Sequence, residues 1–166
     1  APAFSGSPPA GPWDDLRGGW TQDGHSFALV PPPGPTIALT VVDAGADARV
    51  GVTLEPLRDE AGLVFRVADA RNYWAVAPSV TLRAWLLVRV RNGRLSTAAS
   101  SRALFGSRAR VEVRLHGSSI DIWLNGRYLM GTIDGHLQHQ ERAGVAVRGP
   151  GGRTARWLDF RVAHDV

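Results

Sequence analysis

The chain of 166 residues predicts an all-β fold, antiparallel strands packed as a sandwich or barrel, on three observations. Two Asn-Gly pairs, Asn92-Gly93 and Asn125-Gly126, each separate runs that alternate apolar and polar residues. Asn-Gly accepts φ > 0 at two consecutive positions, which the tight type I′ hairpin turn requires. Period-two alternation places one row of side chains in a core and the other in water. Short runs of this kind recur at regular spacing with turn residues between them, and no segment has helical period.

Residues 1–12 are rich in Pro, Gly and Ser and are expected to form an unstructured leader ahead of a single domain over 13–166. Trp13 to Trp20, with Asp14, Asp15 and Gly18-Gly19, reads as an irregular entry segment. The first strand is predicted over His25 to Val30, and the Pro31 to Pro35 run then forbids regular pairing. Strands follow over Thr36 to Val42, Ala48 to Leu54, Gly62 to Ala68 and Asn72 to Ala77, the last two joined by Asp69-Ala70-Arg71. A long strand over Val80 to Arg91 turns at Asn92-Gly93 into Arg94 to Thr97. The second half supplies Ala109 to His116, Ser119 to Leu124, Arg127 to Thr132, Ala143 to Arg148 and Thr154 to Ala163, with a polar loop over Asp134 to Arg142.

The alternation also sorts faces. Leu82, Ala84, Leu86, Val88 and Val90 form the expected core row of the long strand, leaving Arg83, Trp85, Leu87, Arg89 and Arg91 outside. Val111, Val113 and Leu115 face the core from their strand, as do Ile120, Ile122 and Leu124 from the next. In the last strand Leu158, Phe160 and Val162 are expected inside, with Trp157, Asp159 and Arg161 outside. Trp74 joins Val76 in the core and leaves Tyr73 outward.

Hydrophobic residues make up 44% of the chain and charged residues 20%, the balance of a globular protein with enough length to bury a core. No run approaches the roughly 20 apolar residues of a membrane-spanning helix. All 19 basic residues are Arg, they are spread along the chain, and 15 acidic residues are mixed among them, so no clustered basic surface marks nucleic acid as a partner. There is no Cys and so no disulfide framework. A chain that opens Ala1-Pro2-Ala3 without an initiator Met reads as the mature end left by signal cleavage, which predicts a secreted, extracellular protein.

The run Thr36 to Asp47, then Gly62-Leu63-Val64-Phe65-Arg66 and Asn72-Tyr73, resembles the concanavalin A-like lectin/glucanase superfamily. Val111 to Arg114, Leu124-Asn125-Gly126, Gly144 to Val147 and the closing Leu158 to Val162 follow in the same order. The resemblance covers Trp13 to Ala163 and is closest to the laminin-G-like domains of exported bacterial proteins. It implies a two-sheet antiparallel jelly roll whose concave face binds sugar chains, and it carries over no catalytic residue.

Nothing in the residues supplies catalysis. Retaining glycoside hydrolysis needs two carboxylates about 5 Å apart, achieved on such folds by a Glu-x-Asp-x-x-Glu run, and the chain has none. Glu112 stands between Arg110 and Arg114, and with Asp121 across the hairpin it reads as a surface charge cluster. His136 and His139, with Asp134, form a loop pair at zinc-ligand spacing but lack a third ligand, and the reading is a polar loop. No cofactor is expected. Structural calcium between Asp14 or Asp15 and Asp159 is the one metal site the resemblance implies, against a role for these Asp residues as turn caps or Arg partners.

Six Trp residues remain, and Trp85, Trp123 and Trp157 fall on polar rows. An aromatic ring flanked by Arg and Asn offers a stacking face for a pyranose and hydrogen bonds for its hydroxyls. The expected ligand face is therefore Arg66, Tyr73, Arg83, Trp85 and Arg89 on one sheet. The expected function is a non-catalytic, lectin-like module that binds polysaccharide. The alternatives are a protein-interaction or assembly domain using the same aromatics, and a hydrolase of the broader superfamily.

Overall fold

The computed structural model describes residues 6–9, 12–18, 20–23, 28–30, 37–103, 106–148 and 155–164. Among them the strands run β1 (Asp14–Arg17), β2 (Thr21–Asp23), β3 (Ala28–Val30), β4 (Ala38–Asp43), β5 (Ala48–Glu55), β6 (Ala61–Asp69) and β7 (Asn72–Ser79). They continue with β8 (Ala84–Arg91), β9 (Arg94–Arg102), β10 (Ala109–His116), β11 (Ser119–Leu124), β12 (Arg127–Ile133), β13 (Arg142–Val147) and β14 (Arg156–His164). No helix of the described chain is long and apolar enough to cross a membrane.

The strands make two antiparallel sheets. The first has the order β1-β4-β13-β6-β7-β8-β9 and the second β12-β11-β10-β5-β14-β3-β2. Both Asn-Gly pairs turn hairpins as expected: φ is 53° at Asn92, 80° at Gly93, 50° at Asn125 and 82° at Gly126. The core lies between the sheets. Leu63, Phe65, Trp74 and Val76 of the first sheet meet Val50, Val52, Val111, Val113, Ile120 and Ile122 of the second, all fully buried. The rows expected from β10 and β11 face this core.

Several expectations are corrected. The segment Val80 to Arg83 is a turn and not strand, with Arg83 at φ 50°. The predicted irregular entry contains β1, whose backbone pairs along β4. Within the expected leader, Ser7 bridges Val162 of β14 through two backbone hydrogen bonds of 2.8 and 2.9 Å. The expected strand residues His25 to Phe27 and the Pro31 to Pro35 run lie outside the described residues.

The faces of β8 are inverted relative to expectation. Cross-strand neighbours share a face, and the register pairs Val76 with Leu87 and Trp74 with Arg89. Since Trp74 and Val76 point inward, so do Trp85 and Leu87, both 0% exposed. Leu86, Val88 and Val90 therefore face outward. In β14 a bulge at Asp159 (φ 52°) shifts the register between Leu158 and Arg161. The extra residue lets both Trp157 and Phe160 reach the core, and the Trp157 Nε1–H donates to the Gly62 carbonyl at 3.0 Å.

Candidate functional site

The outward face of the first sheet is itself apolar. Leu39 and Val41 of β4, Val64 and Val67 of β6, Tyr73 of β7, Val88 and Val90 of β8 and Ala146 of β13 form a second cluster on the side away from the core. A sheet that is apolar on both faces needs cover or a ligand on each. Here the outer face holds a hollow of about 270 Å³, floored by Val64, Ala75, Leu86, Val88 and Ala146. Its polar groups are Tyr73 and Arg148 with Asp59, Glu60 and Ser79 at one end.

Two of those groups are unusual. Neither Tyr73 Oη nor Arg148 Nη1, both buried, has a hydrogen-bond partner of regular geometry among the described residues. Burial raises the Tyr73 pKa, and the charges of Arg148 and Arg17, with the contact of the Arg148 guanidinium on the phenol oxygen, partly offset this, so the phenol stays protonated at neutral pH. A buried donor left without a partner costs about 1–3 kcal/mol. The hollow therefore sets an O–H and an N–H beside an apolar floor, where an oxygen-bearing ligand would satisfy both.

The sequence-predicted ligand residues do not form one site. Trp85 is in the core between the sheets. Tyr73 lies on the opposite face, as predicted from Trp74, but at 1% exposure it belongs to the floor and is not a free stacking ring. Arg66, φ 47°, sits in a β6 bulge and is also 1% exposed. Its Nη2–H donates to the Ala46 carbonyl at 3.1 Å, Asp47 is 3.7 Å away, and burial lowers its pKa against the pull of Asp47. Arg83 is in the exposed turn before β8. Arg89 faces inward at the sandwich end, 5.9 Å from the Trp74 ring and bound to Asp134. Only Tyr73 of the five lines the hollow.

The loop 134–141 closes that sandwich end. The Trp74 Nε1–H donates to the His136 carbonyl at 2.8 Å, and the His136 N–H donates to Asp134 Oδ1 at 2.8 Å. Burial lowers the His136 pKa, Arg91 and Arg89 lower it further, and Asp134 opposes them. His139 is exposed. The loop thus uses Asp134 and His136 structurally.

Other candidates resolve into ion pairs. Glu112 lies opposite Trp123, not Asp121, and accepts from Arg114 Nε at 3.1 Å, while Arg114 stacks on Trp123 at 3.8 Å. Asp14 accepts from Arg142 at 3.1 Å in the first sheet, Asp15 accepts from the Trp20 N–H, and Asp159 pairs with Arg161 at 2.7 Å in the second sheet. The implied calcium ligands are thus divided between sheets and already bonded. Among the described residues no three metal-ligating side chains converge.

Sequence reasoning missed Arg148, Asp59 and Glu60 and the apolar floor. The signal for the floor was present. Ala61 to Phe65 and Leu86-Leu87-Val88 are unbroken apolar runs, the mark of strands covered on both faces.

No family model matches the chain, and no curated protein matches it either. Solved structures match well. A carbohydrate-binding module CBM66 from Bacillus subtilis superposes with a TM-score of 0.71 at 15% identity, over 90% of this chain and 94% of that one. The GH43 protein BlXynB from Bacillus licheniformis gives 0.72 at 16% identity over 92% of this chain but 37% of its own length. Chicken galectin 2 gives 0.55 at 10% identity, over 74% and 94%. Likeness at identities this low shows the fold alone: the protein has the two-sheet antiparallel jelly-roll fold that these carbohydrate-binding and galectin structures share.

Proposed function

We propose that the protein is a non-catalytic glycan-binding module of this lectin-like class, related in its finer kinship to laminin-G-like domains, and that its site is the outer-face hollow of the first sheet. The observation that carries this reading is a hollow with an apolar floor, lined by the buried Tyr73 hydroxyl and by Arg148, whose Nη1 has no hydrogen-bond partner of regular geometry among the described residues. A sugar ring presents an apolar face and oxygen atoms together. Its C–H face would lie on Val88 and Ala75, its oxygens would accept from Tyr73 and Arg148, and its hydroxyls would donate to Asp59 or Glu60. Solved neighbours that are carbohydrate-binding modules and galectins support the same reading.

A glycan array with the intact chain tests it, read beside Tyr73→Phe. Loss of glycan retention in Tyr73→Phe with the fold intact is the expected result, and a chain that retains no glycan refutes the reading. The second reading is a protein-interaction domain. The floor favours it, because Val64, Leu86, Val88 and Ala146 suit an apolar peptide as well as a sugar. Retention of a protein partner with a blank array would select it.

A further inference from the structure

The tip of the β8–β9 hairpin concentrates positive charge in excess of the carboxylates around it. Arg91 lies directly opposite Arg94 on either side of the Asn92-Gly93 turn, and like charges so placed destabilise a ladder. Arg71, from the turn between β6 and β7, folds over the same tip, its Nη2–H donating to the Asn92 carbonyl at 2.7 Å. The carboxylates closest in sequence or space are engaged elsewhere. Asp69 accepts from the Arg71 backbone N–H and from Asn72 and feels the Arg71 charge without an ion-pair contact, and Asp134 holds Arg89. Among the described residues no carboxylate lies within ion-pair distance of Arg71, Arg91 or Arg94, whereas Arg110, Arg114, Arg142 and Arg161 each have one. The unbalanced charge is felt at His136, where Arg91 adds to burial in lowering the pKa.

These guanidinium groups line an open cleft of about 550 Å³ that also includes Asn92, Ser96 and Arg89, the last paired with Asp134. Arg89, Arg91 and Arg94 belong to the inward row of β8 and β9, and Leu95 of the edge strand β9 borders both their cleft and the outer-face hollow, so a chain of sugars that leaves the hollow over this edge meets the cleft on the other side. A guanidinium receives a carboxylate or sulfate through two parallel N–H donors. Arg71, already tethered to Asn92, loses little freedom on binding.

From this juxtaposition we infer that the cleft is an anion subsite, and that the ligand of the adjoining hollow is an acidic polysaccharide carrying carboxylate or sulfate groups. The inference rests on the glycan reading given above and specifies its substrate class.

The test is calorimetric titration of the full chain with oligogalacturonate, with its fully methyl-esterified form, with a sulfated galactan oligomer and with a single-stranded oligodeoxynucleotide, at low and high salt. The acid form or the sulfated galactan is expected to bind at least about tenfold more tightly than the ester, with the gap narrowing as salt screens the charges. Whichever of the two binds identifies the anion as carboxylate or sulfate. Arg91→Gln and Arg94→Gln are each expected to weaken the acidic ligand roughly threefold to fivefold. They should leave the melting temperature unchanged or slightly higher, because a like-charge pair is relieved. Equal affinity for acid, sulfate and ester, indifference to both Gln variants, or equal retention of the oligonucleotide overturns the inference while leaving neutral glycan binding in place. A chain that binds no glycan, neutral or acidic, overturns this inference together with the function it specifies.

Discussion

Replacing Trp85 with Ala separates the core placement of its ring from the ligand-face placement that alternation predicts. Trp85 is fully buried between the sheets. A Trp ring buries on the order of 200 Å², which at about 25 cal/mol per Å² amounts to about 5 kcal/mol as an upper estimate. Truncation of buried Trp to Ala costs about 3–5 kcal/mol, the cavity left behind included. That is roughly a fifth or more of the about 5–15 kcal/mol that holds an ordinary domain together. Urea unfolding followed by far-UV circular dichroism reads the loss without depending on the deleted chromophore. With a slope of about 2 kcal/mol per M for a chain of this size, the midpoint should fall by about 1.5–2.5 M at unchanged slope. Tyr128→Ala, at a ring 56% exposed, is the control and should move the midpoint little. A midpoint shift below about 0.5 M in Trp85→Ala refutes the inward register of β8 and returns Trp85 to the ligand face.

Tyr73→Phe removes a buried hydroxyl that has no hydrogen-bond partner of regular geometry among the described residues, so stability should stay within about 1 kcal/mol of the parent or rise, while glycan retention falls; a clear drop in the urea midpoint would mean that its contact with Arg148 is a full hydrogen bond in the folded protein. Gly144→Ala would place a Cβ 1.9 Å from the Thr40 carbonyl oxygen and 2.8 Å from Val41 Cα. Backbone cannot yield there cheaply, and a loss of several kcal/mol is expected, on the scale of about 3 kcal/mol or more; a silent substitution would refute the pairing of β13 with β4. His136 has a lowered pKa in the folded protein, so the unfolded chain binds the proton more readily. The neutral ring's contribution is present above pH 6.5, the ordinary value, and is lost as pH falls through the lower folded value. His136→Asn should therefore flatten that part of the melting-temperature profile on the acid side of pH 6.5, and an identical profile in the variant would place the titration elsewhere.

Turns and central hairpins were legible in the residues because their chemistry is local. Asn92-Gly93 and Asn125-Gly126 state their turn type through the φ values they tolerate, and β10 and β11 state their faces through one apolar and one polar row. The candidate site was less legible. Tyr73 was placed on the correct face through its neighbour Trp74, but its burial depends on what lies around it in space, including Arg148 of β13. Arg66 and Arg89 looked like surface cations, and a β-bulge and an inward row at the sandwich end place them elsewhere.

By itself the sequence determined the class of fold, the turn positions and most strand identities, since each follows from periodicity and φ preference over a few residues. Tertiary structure decided which row of β8 became core, because Trp85 and Leu87 lead a row that ends in Arg89 and Arg91, and only the register with Trp74 and Val76 turns that row inward in place of the wholly apolar one. It also decided that Asp159 bulges so that Trp157 and Phe160 share the interior, and that Arg71, Arg91 and Arg94 meet at one tip. Those outcomes rest on contacts between segments far apart in the chain, where alternation within one strand carries no information about its partner.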